Sequence, residues 1–484
     1  MNENTNKTSK KDLNRKATIA GIFYILMQLL VRGVSFLATP IYSRLVSTAQ
    51  YGELRTYESW LLILVPVLSL SMYRSVSRAK YDFRDDFEKY VSSTLSLSYL
   101  VIAVFYLLVS IFFRKIFIGF IEIDDLMYVF MILYTFSYTS VMYFQTREAH
   151  MLRYKRSVIL SSLMMIPATL LSIALLYWGN RKGLYDSLVD LRVIGYYTPQ
   201  IIGGLLAAYI MCKDGDFSRD RKYWHYAVTY SLPLIPETLS IQIMNQADKI
   251  MIRKMVSSEV TGIFSLATTV SFIIWIIEDA VWHSFMPWLF EKLDRNEAEE
   301  IQKPWDFITY LFGYISWALV ILGPELVLIL GGSRYKEAVY LIAPMVTGTL
   351  FRFFSNCFTS IERYQKKTLY CALGTMAAML INMALNLFCI AKFGYRSAAY
   401  TTAFSYLMLL VIQGVLEKKV CGSRCVSFKK MVFISLLFWA INQLSVLSYS
   451  LPYVYRYIVF LVVSVLVLWK LYPEVMKVYK ELKK

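Results

Sequence analysis

Between residues 17 and 475 the sequence is a succession of apolar runs, each roughly 20 residues long, separated by short polar loops. That is the length needed to cross about 30 Å of hydrocarbon. Backbone inside lipid must satisfy its own hydrogen bonds, and at this run length the solution is a helix. The runs therefore predict an all-α integral membrane protein with about 14 transmembrane helices. With 57% apolar and only 18% charged residues, the chain has little left from which to build a soluble domain.

The same layout disposes of several other readings. The net charge of +17 invites nucleic acid, but most Lys and Arg residues fall in the N-terminal tail 1–16 and in alternate loops, where they act as orientation signals. This places both termini in the cytoplasm of a multi-pass cell-membrane protein and implies no nucleic-acid partner. The apolar run behind the tail is too long for a signal peptide and lacks a small-residue cleavage site, so the tail is expected to be retained. The six cysteines are scattered singly, and Cys421 with Cys425 lacks metal-site spacing, so neither a disulfide framework nor a metal is expected.

One stretch is written twice. LVSTAQYGEL begins at Leu45, and MVSSEVTGIF begins at Met255. Each follows a long apolar span and faces the same side, as expected of parallel repeats that pack as lobes about a midplane site. Glycine at 52 and 262 suits an outer turn that needs positive φ. The expected division is an N-lobe over 17–212, a C-lobe over 223–416, accessory spans over 431–475 and a cytoplasmic tail over 476–484.

Ionisable groups within spans are costly, so each should face protein or water. Arg32 in span 17–39 and Arg352 in span 338–359 place one guanidinium in each lobe, and such a fork suits a phosphate headgroup. An interhelical pair with a carboxylate is the alternative. Span 223–248 carries Pro233 and Pro236, which invite a bend, followed by Glu237, Asn245 and Asp248. Its carboxylates could carry a proton, help hold sodium or pair with an arginine. Glu278 and Asp279 lie in span 259–290, and adjacent residues project about 100° apart, so at most one faces a cavity centre. Arg74 and Arg78, at i and i+4, end the second span and could reach a phosphate at the inner surface.

The segments SFLATPIYSRLVSTAQYGELRTYESW, RAKYDFRDDFEKYVSS, YSLPLIPETLSIQIMNQADKIMI, YKEAVYLIAP and FGYRSAAYTTAFSYL together resemble the polysaccharide transport family of the MOP exporter superfamily, from about Ala17 to Glu417. The resemblance implies two six-helix bundles in a V shape plus two extra C-terminal helices. It also implies a flippase that carries undecaprenyl diphosphate-linked oligosaccharide repeat units to the outer leaflet for O-antigen or capsule biosynthesis, by alternating access. On this chain Arg32, Arg78, Asn245 and Asp248 match family positions. Glu237 stands where family members often carry histidine or a small residue, which leaves H+ or Na+ coupling open. The implied partners are the lipid-linked oligosaccharide, membrane lipid and the polysaccharide polymerase machinery, with no cofactor and no enzymatic activity. A small-molecule or multidrug antiporter of the same superfamily is the competing reading. A membrane polymerase or ligase would carry a large outer loop, and the loops here are short.

Overall fold

The computed structural model describes residues 33–34, 36–295, 297–422 and 425–482, and contains no strand among them. Arg32 lies outside the described residues. Ten described helices are long and apolar enough to cross a membrane, or twelve if each of two bent helix pairs is one span. Of the fourteen expected, the first falls mostly outside the described residues, and the seventh is helical but too polar to enter that count.

The chain divides into two units, Met1–Ser265 and Leu266–Lys484. In the first, residues 36–45 are helical, followed by α1 (Thr48–Leu68), α2 (Val76–Asp82), α3 (Phe87–Leu108), α4 (Arg114–Ile121), α5 (Asp125–His150), α6 (Tyr154–Lys182), α7 (Leu188–Asp214), α8 (Arg221–Ser231) and α9 (Ile235–Met255). The unit boundary falls inside α10 (Ser258–Asp294), later than the 212–223 break expected from the repeat. Packing explains the difference. Ser59 Oγ donates to Gln246 Oε1 at 3.0 Å, and Arg253 meets Glu122 Oε2 at 3.0 Å and Glu53 Oε1 at 3.6 Å. These ties bind α9 to the helices before it.

Helix α1 begins at Thr48 rather than near residue 57. Ser47 caps it, accepting from Gln50 N at 3.1 Å while the Gln50 side chain accepts from Ser47 N, a reciprocal box that satisfies two orphan donors. Ser257 plays the matching part before α10, accepting from Val260 N at 3.3 Å. The echoed serines are therefore N-caps. The echoed glycines are not turn residues with positive φ as expected, because both lie within helices. They are small because the two backbones touch. A Cβ on Gly52 would run into Ser258 O and lie 2.7 Å from Gly262 N, and a Cβ on Gly262 would run into Thr48 O. The contact is reciprocal: each copy of the motif packs on the corresponding atoms of the other.

Two apolar clusters hold this unit. Tyr57, Ile102, Met127 and Val193 centre one, and Val76, Tyr90, Val91 and Tyr143 the other. The bend expected at Pro233 is a 3-10 turn, Leu232–Leu234, between α8 and α9. At one end of the unit Arg147 is fully buried, bonded to Glu88 at 2.6 Å and to Asp214, and lies 3.2 Å from Glu148.

The second unit contains most of α10, then α11 (Gln302–Ile321), α12 (Gly323–Gly331), α13 (Val339–Tyr364), α14 (Thr368–Phe393), α15 (Arg396–Leu416), α16 (Phe428–Val446) and α17 (Tyr453–Leu482). Helix α13 is its axis: Phe351, Phe353, Phe354 and Phe358 are fully buried, and Phe353 stacks on Phe312 at 3.9 Å between centroids. Helices α16 and α17, the expected accessory pair, dock on this unit through several polar ties. Asn442 donates to Ser316 at 2.6 Å and to Thr347 at 2.9 Å, while Arg456 bonds Glu325. Only 6% of the apolar window Tyr453–Lys470 is buried, which leaves its Leu, Val and Ile side chains for lipid.

Candidate functional site

A cavity of about 180 Å³ opens within the first unit. Helix α1 contributes Arg55, Glu58, Leu61 and Leu62, positions three and four apart that share one helix face. Tyr134 and Tyr138 come from α5, Thr169 from α6, and Arg192, Tyr196 and Tyr197 from α7, with Tyr42 closing the wall.

Charge inside this chamber is organised around Glu58. Its Oε2 accepts from Arg55 Nη1 at 2.8 Å and its Oε1 from Arg192 Nη2 at 3.5 Å. Arg55 also donates to Tyr51 OH at 2.7 Å. Lys249 approaches the group from α9 without lining the chamber, its Nζ donating to Gln246 Oε1 at 3.0 Å. Arg192 is held flat between rings, its guanidinium carbon 3.8 Å from the Tyr196 centroid and 4.5 Å from that of Tyr42, which is the stacking a planar cation favours. It is 6% exposed, yet its Nη1 has no hydrogen-bond partner. Nearby Thr169, 7% exposed, has an unpartnered hydroxyl. A buried donor left unmade costs on the order of 1–3 kcal/mol, so both groups are held at some cost beside the chamber.

The second unit contains a related grouping that is more tightly closed. Arg352 on α13 bonds Glu278 on α10, its guanidinium carbon lies 3.9 Å over the Trp275 ring, and Asn356 donates to the other Glu278 oxygen at 2.6 Å. Two residues expected in separate roles, Arg352 for substrate and Glu278 for ion coupling, are thus partners. Asp279 beside them is half-buried. On α9, Glu237 and Asp248 are buried, 6% and 5% exposed, and Asn245 is half-buried. Arg74 is half-buried and Arg78 exposed. Arg78 Nε donates to Asp82 Oδ2 at 3.1 Å, an oxygen that also receives the Tyr226 hydroxyl at 2.5 Å.

Sequence reasoning missed Arg55, Glu58 and Arg192. Spans drawn from 57 and from 193 left both arginines just outside, where they passed for topology charges, although their helices begin at Thr48 and Leu188. The available signal was Glu58, an acid inside an apolar span three residues after an arginine.

The family described as polysaccharide biosynthesis protein matches residues 19–292, more than half of the chain. The chain belongs to that family. The chain is 22% identical over 340 residues, 68% of its length and 80% of the other's, to a protein of the Lsg locus of Haemophilus influenzae. Its fold is similar to that of the lipid II flippase MurJ in an inward closed conformation, at a TM-score of 0.64 and 14% identity, covering 94% of this chain and 99% of that one. An inward-facing multidrug resistance MATE family transporter of the MOP superfamily follows at a TM-score of 0.60 and 12% identity, covering 84% and 99%. The chain is accordingly a multi-pass membrane protein whose fold is similar to those of a lipid II flippase and a MATE family transporter.

Proposed function

We propose that the protein is a flippase that moves undecaprenyl diphosphate-linked oligosaccharide repeat units from the cytoplasmic to the outer leaflet for O-antigen or capsule biosynthesis. The observation that carries this reading is a polar, tyrosine-lined chamber with two guanidinium groups inside a bundle of the polysaccharide biosynthesis family. A charged headgroup crossing hydrocarbon needs such a chamber, because burying an unpaired charge in lipid costs several kcal/mol, on the order of 2.5 at least. Arg32, Arg74, Arg78 and Asn245 remain proposed contacts for diphosphate and sugar. Arg352 is proposed instead as half of a structural clasp with Glu278, whose carboxylate meets one of its terminal nitrogens. The buried acids Glu237 and Asp248 are the proposed sites for H+ or Na+ coupling.

Reconstitution in vesicles with a fluorescent lipid diphosphate oligosaccharide tests the proposal. Protein-dependent exposure of the sugar to an external lectin is expected, and identical kinetics in empty vesicles would reject it. A small-molecule antiporter is favoured by one observation, the similarity in fold to the MATE family transporter. In that case a knockout would lose drug resistance and keep its surface glycan.

A further inference from the structure

We propose that the seam between α1 and α9 is a latch, shut by Arg253 against the carboxylates of Glu53 and Glu122 and released when those acids take up protons from the water beside them. It lies at the end of the bundle that bears the two echoed motifs, the end expected to face outward. The proposal goes beyond the flippase reading and does not depend on what is carried. Its first support is the composition of the seam. Gly52, Thr56 and Ser59 stand at i, i+4 and i+7, one buried line along α1. Gly52 rests on the backbone of Ser258 and Gly262, and Ser59 donates to Gln246 of α9, which also accepts from Lys249. The other side of α1 carries Leu54, Tyr57 and Leu61 into the apolar cluster with Ile102, Met127 and Val193. Helix α1 is thus held to its own bundle by apolar burial and to α9 by small and polar groups. Polar contacts exchange for water at little net cost and apolar ones do not, so the α9 side is the one built to part.

The second support is the charge at the end of that seam. The Arg253 side chain is 8% exposed, with Nε 3.0 Å from Glu122 Oε2 and Nη2 3.6 Å from Glu53 Oε1. Its Nη2 donates to the Glu122 carbonyl at 2.7 Å, while its Nη1 has no hydrogen-bond partner. Glu53 and Glu122 are 32% and 41% exposed, so protons reach the acids while the base they hold stays dry. The surroundings add negative charge. Asp124 acts on Glu53, and Asp190 lies within hydrogen-bond reach of Asp124, an arrangement two carboxyl groups keep only with a proton between them. The neighbouring cations are engaged elsewhere, Arg114 with Asp125 at 2.8 Å and Lys254 over the Phe120 ring at 3.6 Å. Four carboxylates therefore share one guanidinium, and like charges so crowded do not all stay ionised. As pH falls, Glu53 and Glu122 become neutral and Arg253 is left a buried cation without a counter-ion. That state is relieved when the guanidinium moves into water, and α9 moves with it.

Pulsed electron paramagnetic resonance on the full-length protein in nanodiscs tests the latch. Spin labels are carried on noncanonical amino acids at two exposed positions, Tyr185 and Met255, so the native cysteines stay untouched. Tyr185 moves with α1, because its carbonyl accepts from Gln50 Nε2 at 2.7 Å, and Met255 ends α9. A single short distance is expected in mildly alkaline buffer, and a longer one should grow several-fold on mild acidification. Glu53→Gln, which imitates the protonated acid without changing its size, should show the longer distance at every pH. Asp190→Asn keeps a hydrogen bond to Asp124 but removes a charge, and should move the transition to lower pH. A control pair at Tyr185 and Ile116, both on the α1 side of the seam, should not respond. Distances that ignore pH, a Glu53→Gln protein that responds as the parent does, an unmoved transition in Asp190→Asn, or an equal response in the control pair would each overturn the latch. None of these results bears on the vesicle assay: a protein that flips lipid with a seam indifferent to pH ends the latch and leaves the flippase standing.

Discussion

The Arg192–Glu58 group and the Arg352–Glu278 group are built from the same parts and differ in what surrounds them. Each lays a guanidinium on an aromatic face, Tyr196 in one and Trp275 in the other, and each offers it a glutamate from a neighbouring helix. In the second unit Asn356 takes up the other carboxylate oxygen, and Arg352 sits in direct contact with Glu278. In the first, the distance from Arg192 to Glu58 is 3.5 Å, Arg55 shares the acid, and a chamber adjoins. On the proposed reading, an intramembrane arginine is available to a guest where its counter-ion is shared and space is left beside it.

That contrast can be broken most forcefully at Glu278. Glu278→Ala strands a buried guanidinium and should cost about 3–5 kcal/mol, read as lost thermal stability or expression. Glu58→Ala should cost about 2 kcal/mol, since Arg55 is partly exposed and keeps its bond to Tyr51, and equal losses would erase the distinction. A second measurement sharpens it: Arg352→Met with Glu278→Leu removes both charges and should leave the fold within about 1 kcal/mol of the parent, with flipping retained. A folded double variant that cannot flip would return Arg352 to the substrate path. Arg192→Gln should then lower the flipping rate about tenfold, ~1.4 kcal/mol of interaction, with the melting temperature little changed. Smallest of all, Arg78→Ala removes an exposed contact with Asp82. An unchanged melting temperature is expected, and a large shift would mean that the tie through Asp82 to Tyr226 matters more than its exposure suggests.

What the sequence could reveal here depended on range. Apolar run length is a local property, so α3, α5, α6 and α13 through α16 were legible as spans. The serine of the echoed motif was equally legible in principle, because N-capping acts over three residues. Pairing was not. Nothing in the local pattern around Arg352 says that α10 will present Glu278 to it, and the alternative of an interhelical ion pair could be stated but not chosen. Arg55 and Arg192 were lost for a subtler reason: their helices run several residues past the apolar stretch, and a loop boundary drawn by hydropathy turned binding candidates into orientation signals. Gly52 and Gly262 show the same limit, since the close crossing that requires them joins segments far apart in the chain.

That crossing also bears on how freely the two echoed segments can change. Because each glycine forms the wall against which the other rests, neither half can acquire even a methyl group there without the opposite half giving way. Mutations that elsewhere accumulate independently in two copies are here coupled. A substitution at either glycine therefore calls for a compensating shift in the segment that leans on it.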